Sequence, residues 1–263
     1  MKIEGRTFVI SGGASGLGQA AVEEICRAGG YAAIFDLNEE LGNEAVKSLP
    51  AGQGKFFTCD VLETDSISAA VKDVEGWIKE TGKPMGGVIP AAGVGNPSTI
   101  LDRTGAPFSL ESFDFVVNIN LRGTVDLIRQ CLPLLSMTEP AAPDSERGVI
   151  VMVSSVAAFD GQKGQVAYAA SKGAVASMTL PMTRDLARYG IRCNTIAPGI
   201  FESRMTAMLP KKLFEGLAAV AEFPKRAGKP EEFALLVRQI IENPMLNGTV
   251  IRLDGGMRMP SKI

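Results

Sequence analysis

Short apolar runs alternate with helix-period segments from one end of this chain to the other, and no other feature narrows its fold as far. The runs at 7–11, 31–36, 55–59, 87–89, 148–154, 191–197 and 250–253 read as strands. Helical periodicity fills 17–28, 39–49, 65–80, 111–137 and 165–188 between the first six. Strand–helix–strand repeats imply parallel pairing, with helices over both faces of the sheet. Right-handed crossovers then give an α/β fold: a doubly wound parallel sheet in three layers, a Rossmann fold. The 263 residues suffice for one large domain and no composition shift marks a boundary, so 1–263 reads as a single domain. Pro181 predicts a local kink in the last of these helices. The stretch 136–147, with its Pro, Asp and Ser, predicts an exposed loop. The stretch 95–110 is longer than an ordinary βα loop and follows a strand's carboxyl end, where open sheets place ligands.

Composition closes several routes. Lys and Arg number 27 against 29 Asp and Glu, a net charge of −2, so nothing points to nucleic acid or a membrane surface. The chain has no histidine, which removes His-ligated zinc and every Ser-His-Asp mechanism. Cys26, Cys59, Cys131 and Cys193 form no C-x-x-C pair. They read as buried, reduced thiols of an intracellular protein, and no metal is expected. The longest uncharged run, 84–101, contains three prolines and four glycines and cannot span a bilayer as a helix. Glu4 and Arg6 interrupt any leader-like start, so a soluble protein is expected. Ser261-Lys262-Ile263 lies one conservative change from the S-K-L address. That sets a peroxisome-like organelle beside cytoplasm and mitochondrion as a compartment.

The turn after the first strand reads SGGASGLG, with Gly12, Gly16 and Gly18 before a helix-period run. Such a turn needs glycine twice: to bend tightly, and to bring backbone N–H groups close to a pyrophosphate at a helix N-terminus. Asp36 ends the second strand and can accept hydrogen bonds from both adenosine ribose hydroxyls. It would repel a 2′-phosphate, and Leu37 and Asn38 offer no cation to receive one, so NAD is expected over NADP. Asp60 and Val61, after the third strand, can offer a carboxylate to the adenine amine and an apolar wall beside its ring.

Tyr168 and Lys172 stand four residues apart on a helix and share one face, with Ser155 ending the strand before. A free phenol ionises near pH 10. A neighbouring ammonium would lower that value and make the phenol a usable base. Alone, such a pair is common on exposed helices.

In order and spacing, SGGASGLG, Asp60-Val61, Asn120, Ser155, YAASK at 168–172 and Pro198-Gly199 resemble the short-chain dehydrogenase/reductase family over nearly the whole chain. The resemblance implies a nicotinamide-dependent oxidoreductase. Tyr168 is then the general acid/base, Lys172 lowers its pKa and binds the nicotinamide ribose, and Ser155 orients the substrate oxygen. Asn120 resembles the residue that anchors a water in the proton relay. The segment from Pro198 to Phe201 resembles the one that closes over the nicotinamide. Cofactor contacts are implied for Gly12, Ser15, Gly16, Leu17, Gly18, Asp36, Asp60, Val61, Ala91, Gly93, Tyr168, Lys172, Pro198 and Phe201. Substrate contacts are implied for Ser155, Gln162 and Tyr168. One segment departs from the pattern: Pro90-Ala91-Ala92-Gly93 stands where the family often has Asn-Asn-Ala-Gly.

Longer stretches, among them VSSVAAFDGQKGQVAYAASKGAV and IIENPMLNGTVIRLDGGMRM, resemble the type 2 group of 3-hydroxyacyl-CoA dehydrogenases, also called 17β-hydroxysteroid dehydrogenases type 10. That resemblance implies NAD, a homotetramer, and interconversion of 3-hydroxyacyl-CoA and 3-ketoacyl-CoA in fatty acid metabolism. A hydroxysteroid or another secondary alcohol is the alternative substrate, and a non-catalytic NAD-binding scaffold the alternative class. Residues 203–229 carry a net charge of +4 and would cover the substrate, where cations suit the phosphates of coenzyme A. A solvated amphipathic helix accounts for the same charges. The helical runs 121–135 and 166–182 are apolar around much of their circumference, which suggests burial beyond one sheet face.

Overall fold

The computed structural model describes residues 1–261, with Met205 followed through its backbone alone. Lys262 and Ile263, and with them the reading of the C-terminal tripeptide, lie outside the described residues. The strands are β1 (Thr7–Ser11), β2 (Tyr31–Asp36), β3 (Gly54–Thr58), β4 (Met85–Pro90), β5 (Gly148–Val153), β6 (Ile191–Pro198) and β7 (Val250–Leu253). The helices are α1 (Gly16–Arg27), α2 (Glu39–Lys47), α3 (Thr64–Thr81), α4 (Leu110–Val117), α5 (Thr124–Met137), α6 (Val166–Leu186), α7 (Arg204–Ala207), α8 (Lys211–Ala218) and α9 (Pro230–Glu242).

All seven strands form one sheet, in the order β3-β2-β1-β4-β5-β6-β7, and every neighbouring pair is parallel. β1, β4, β5 and β6 are buried along their whole lengths, which is why their residues read as continuous apolar runs rather than alternating ones. Val22 and Ile25 of α1 pack with Phe233, Val237 and Ile241 of α9 on one face. Val74 of α3, Leu127 and Cys131 of α5 and Val175 of α6 fill the other. Each large side chain removed from water in these layers contributes about 1.5–3 kcal/mol. The chain winds outward from β1 to β3, then returns to β4 on the other side of β1. That reversal opens a crevice at the carboxyl ends of β1 and β4.

Three elements differ from the sequence reading. The run 111–137 is two helices, α4 and α5, joined by a π-helical turn at Asn118–Gly123. The wider turn frees the Asn120 carbonyl, which accepts the Thr124 hydroxyl at 2.8 Å. The stretch 136–147 is exposed at 137, 139, 140 and 142–145, as expected of a loop, but it is anchored by two buried residues. Thr138 is buried and donates to the Met85 carbonyl at 3.0 Å, and Glu146 is buried 2.7 Å from Arg192. The alternation also fails to mark α9, although Pro230 at its first turn and Phe233, Val237, Ile240 and Ile241 along one face carry the signal. α6 continues through Pro181 to Leu186.

Arg192, buried in β6, closes the carbonyl end of α9. Nη1 donates to the Ile240, Asn243 and Leu246 carbonyls and Nη2 to Ile241, at 2.6–3.2 Å. Arg192→Met strips these acceptors and Glu146 of their shared donor, and is expected to cost about 3 kcal/mol or more. Urea unfolding measures this; a loss below about 1 kcal/mol would match an exposed pair and overturn the account.

Candidate functional site

At the crevice, two stretches of backbone approach within a distance that a side chain would prevent. Gly12 has φ +65°, and a Cβ there would lie 2.9 Å from Ala92 Cα. A Cβ on Gly18 would lie 2.2 Å from the Gly12 carbonyl oxygen. Gly16, at φ +55°, faces nothing closer than Ser203 Cβ at 3.4 Å. Ser15 caps α1 in an extended conformation with no side-chain cap bond, and no acidic residue sits in the helix's first turn. The N-terminal N–H groups and the positive end of the α1 dipole thus face the crevice, and the residues fit a pyrophosphate. The half-buried Leu17 side chain packs on the core beneath α1.

Beside this turn the Asp36 carboxylate accepts the Ala14 N–H at 3.2 Å and the Asn38 N–H at 3.1 Å. These bonds fix its orientation at the end of β2. Asp60 accepts the Leu62 N–H at 2.9 Å, and Val61 packs so tightly on the π-helical turn that a Cβ on Gly123 would meet its carbonyl oxygen at 2.7 Å.

The departure at 90–93 is bridged by other groups. Ser11 accepts the Ala91 N–H through its carbonyl at 3.1 Å and the Ala92 N–H through its hydroxyl at 3.2 Å. Asn120 is fully buried and grips Val94: Oδ1 accepts its N–H at 2.8 Å and Nδ2 donates to its carbonyl at 2.9 Å. Nδ2 also donates to Ser171 Oγ at 3.1 Å, on α6. Ser11 and Ser171 lie within SGGASGLG and YAASK, but the sequence reading gave neither a role.

The structure brings Ser155, Tyr168 and Lys172 together. Ser155 starts a 3₁₀ turn at Val156–Ala158 and accepts the Ala157 N–H at 3.1 Å. Ser155 stands beside Tyr168 and lowers its pKa. Lys172 is buried, donates to the Val153 carbonyl at 2.9 Å, and holds Nζ 5.9 Å from the centre of the Tyr168 ring. Burial pushes the Tyr168 phenol above its ordinary value, and the neighbouring Ser155 hydroxyl offsets only part of this. Burial also pulls the Lys172 ammonium down to about 8. The downward push on Tyr168 expected from Lys172 does not prevail, because the ammonium is turned to Val153. Gly93 stands over both elements: a Cβ there would lie 3.2 Å from Asn120 Oδ1 and 3.3 Å from Lys172 Nζ.

The remaining expected residues divide. Pro198 ends β6 in the crevice wall. The Phe201 ring is committed to the core and lies against Gly228, which has no room for a Cβ. Gln162 Nε2 donates to the Pro260 carbonyl at 3.0 Å, and its N–H is held by Gln165 Oε1 at 2.9 Å. The loop after β4 lies beside it, with Ser98 N–H donating to Gly164 at 2.9 Å. In 203–229, Arg226 is taken up by Glu232 of α9 at 2.6 Å, while Lys211 and Lys225 lie 3.8 and 3.7 Å from Glu215 and Glu222. Among the described residues no helix is long and apolar enough to cross a membrane, and no cluster of acidic or thiol side chains could hold a metal.

The short chain dehydrogenase family model matches residues 6–213. The chain is 44% identical over 261 residues to the 3-hydroxyacyl-CoA dehydrogenase type-2 of Drosophila melanogaster, covering 98% of this chain and 99% of that protein. It is 42% identical over 258 residues to the Homo sapiens protein of the same name, covering 98% and 97%. The crystal structure of 3-hydroxyacyl-CoA dehydrogenase type-2 from Mycobacterium avium superposes with a TM-score of 0.91 at 33% identity, covering 100% of both chains. Ser155, Tyr168 and buried Lys172 beside a glycine-built crevice thus stand in a chain that belongs to the short-chain dehydrogenase family of nicotinamide-nucleotide-dependent oxidoreductases.

Proposed function

We propose that this enzyme interconverts 3-hydroxyacyl-CoA and 3-ketoacyl-CoA with NAD, using Tyr168 as general acid/base. The observation that carries the chemistry is the placement of Tyr168 beside Ser155, with buried Lys172 5.9 Å from its ring centre. The substrate class is supported by the printed names of relatives at 40–44% identity over 98% of the chain. The nicotinamide, when bound, accepts or returns a hydride at the substrate carbon. Tyr168 takes the hydroxyl proton in oxidation and returns it in reduction. Ser155 and Tyr168 both donate to the substrate oxygen as charge grows on it during reduction. Lys172 holds a positive charge beneath them, and Asn120 holds the relay water on the far side.

Asp36 supports NAD over NADP: its carboxylate, held at the end of β2, would repel a 2′-phosphate, and exposed Leu37 and Asn38 offer no cation to receive one. Gly12, Ser15, Gly16 and Gly18 take the pyrophosphate, Asp60 and Val61 the adenine, and Ala91, Gly93, Tyr168, Lys172 and Pro198 the nicotinamide riboside. Residues 203–229 cover the substrate, with Gln162 on the opposite wall. Four buried free thiols support a reducing, intracellular compartment. Exposed Phe115 of α4 with Val166 and Leu180 of α6 supports a homotetramer. Light scattering should return the mass of four chains; a monomeric mass would remove that part of the reading.

Tyr168→Phe is expected to lower kcat with acetoacetyl-CoA and NADH by about 100-fold or more while NADH still binds, because general acid/base catalysis is lost and the ring remains. A variant with near-normal turnover sinks the assignment of Tyr168. Absorbance at 340 nm should show NADH oxidised in strong preference to NADPH. Asp36→Ala should raise NADPH-supported kcat/KM by about tenfold or more, the effect of removing about 1.4 kcal/mol of repulsion. No change would mean that the 2′-phosphate is rejected elsewhere.

A further inference from the structure

The structure assigns Arg252 a role outside the family set: it is a positioning residue that locks the C-terminal segment 254–260 onto both substrate-side walls. This inference rests on the reading of those walls as the substrate site. The Arg252 side chain leaves β7 and is 20% exposed. Nη2 lies 2.6 Å from Asp160 Oδ2 and Nε lies 2.7 Å from Asp254 Oδ2. Nη2 also donates to the Met257 carbonyl at 2.8 Å, and the guanidinium stacks 5.3 Å from the centre of the Phe159 ring.

Phe159 and Asp160 belong to the loop between Ser155 and Tyr168. Gln162 of that loop bonds Pro260 at 3.0 Å, so the loop is tied to the segment twice. The segment also holds the other wall. The Gly255 carbonyl accepts the Glu222 and Phe223 N–H groups at 2.9 and 3.1 Å, at the far end of the covering segment. The Gly199 N–H donates to Leu253 at 2.9 Å, and a Cβ on Gly199 would lie 3.0 Å from Asp254. Met257 is buried with Val156 and Ala221, one residue from each wall.

A planar fork can meet Asp160, Asp254 and a carbonyl in fixed directions at once, whereas a lysine ammonium meets them as a point charge. The pair is shielded and shares one guanidinium, unlike the exposed pairs whose worth is small. None of these contacts reaches Gly12, Asp36 or Asp60, so the adenosine half of the cofactor site is insulated from them. Arg252 therefore sets how the loop and the covering segment face each other across the substrate.

Arg252→Lys and the isosteric Asp160→Asn test this. Each is expected to lower kcat/KM for acetoacetyl-CoA by roughly tenfold, carried by KM, since misplaced binding groups cost rate without touching the reacting atoms. NADH affinity, read by fluorescence titration, should stay near the wild-type value. Amide exchange should quicken in both 156–165 and 220–223. Asp160→Glu, which keeps a carboxylate for the guanidinium, should retain most of the wild-type KM. Unchanged KM and exchange in both variants, or an equal loss of NADH affinity, overturns the proposal. A wild type that ignores acetoacetyl-CoA refutes the substrate reading instead, and exchange in the two segments still decides whether Arg252 joins them.

Discussion

The close approach of Gly12 to Ala92 is the constraint on which the rest of the crevice depends. Two parallel strands, β1 and β4, bring their carboxyl ends side by side, and the chain leaving each must turn without filling the space between. With Gly12 at φ +65° and Gly18 packed on its carbonyl, α1 starts one tight turn after β1. A side chain at either position would push α1 off the sheet and lose the N–H groups that its first turn presents. Ser11 completes the arrangement from β1, accepting the N–H groups of both Ala91 and Ala92. Where the family often has an asparagine pair, this chain has Pro90-Ala91, and Ser11 holds the backbone there through its carbonyl and hydroxyl.

The π-helical turn couples that crevice to the chemistry. One inserted residue rotates Asn120 inward, where it joins Val94 after β4 to Ser171 on the helix that carries Tyr168 and Lys172. Three residues on, Gly123 lies against Val61. The same turn thus touches Val61, after β3, at one end and the helix that carries Tyr168 and Lys172 at the other. An ordinary α-helix through 118–123 would place only one of these contacts, because the added residue shifts the helix face between them.

What the sequence made legible follows the range of the forces involved. Strand positions were readable, most clearly where burial on both faces leaves a run that needs no context, as at Ile191–Pro198. The glycine turn, Asp36, Ser155 and the Tyr168–Lys172 pair were readable because local geometry restricts the residue types. The π turn was not, since one extra residue barely alters the apolar period of 111–137. Glu146 with Arg192 and Asp160 with Arg252 were not, because each joins residues 46 and 92 positions apart through a single side-chain contact. Charge on 203–229 was legible, but its partner Glu232 lies beyond it and takes up Arg226.

The electrostatics of the pair were also misjudged from spacing alone, and the reason bears on the mechanism. Spacing puts an ammonium four residues from a phenol and suggests that the phenol ionises easily. Burial acts on both groups and favours the neutral form of each, raising Tyr168 and drawing Lys172 down to about 8. Near neutral pH the site then holds a protonated phenol over a still charged ammonium. That is the state suited to reduction: Tyr168 and Ser155 can both donate to an oxygen gaining charge, and Lys172 supports them from behind without competing for the proton. In a chain without histidine, the proposed proton handling rests on these three side chains, so shifting any one of them changes the balance of the other two.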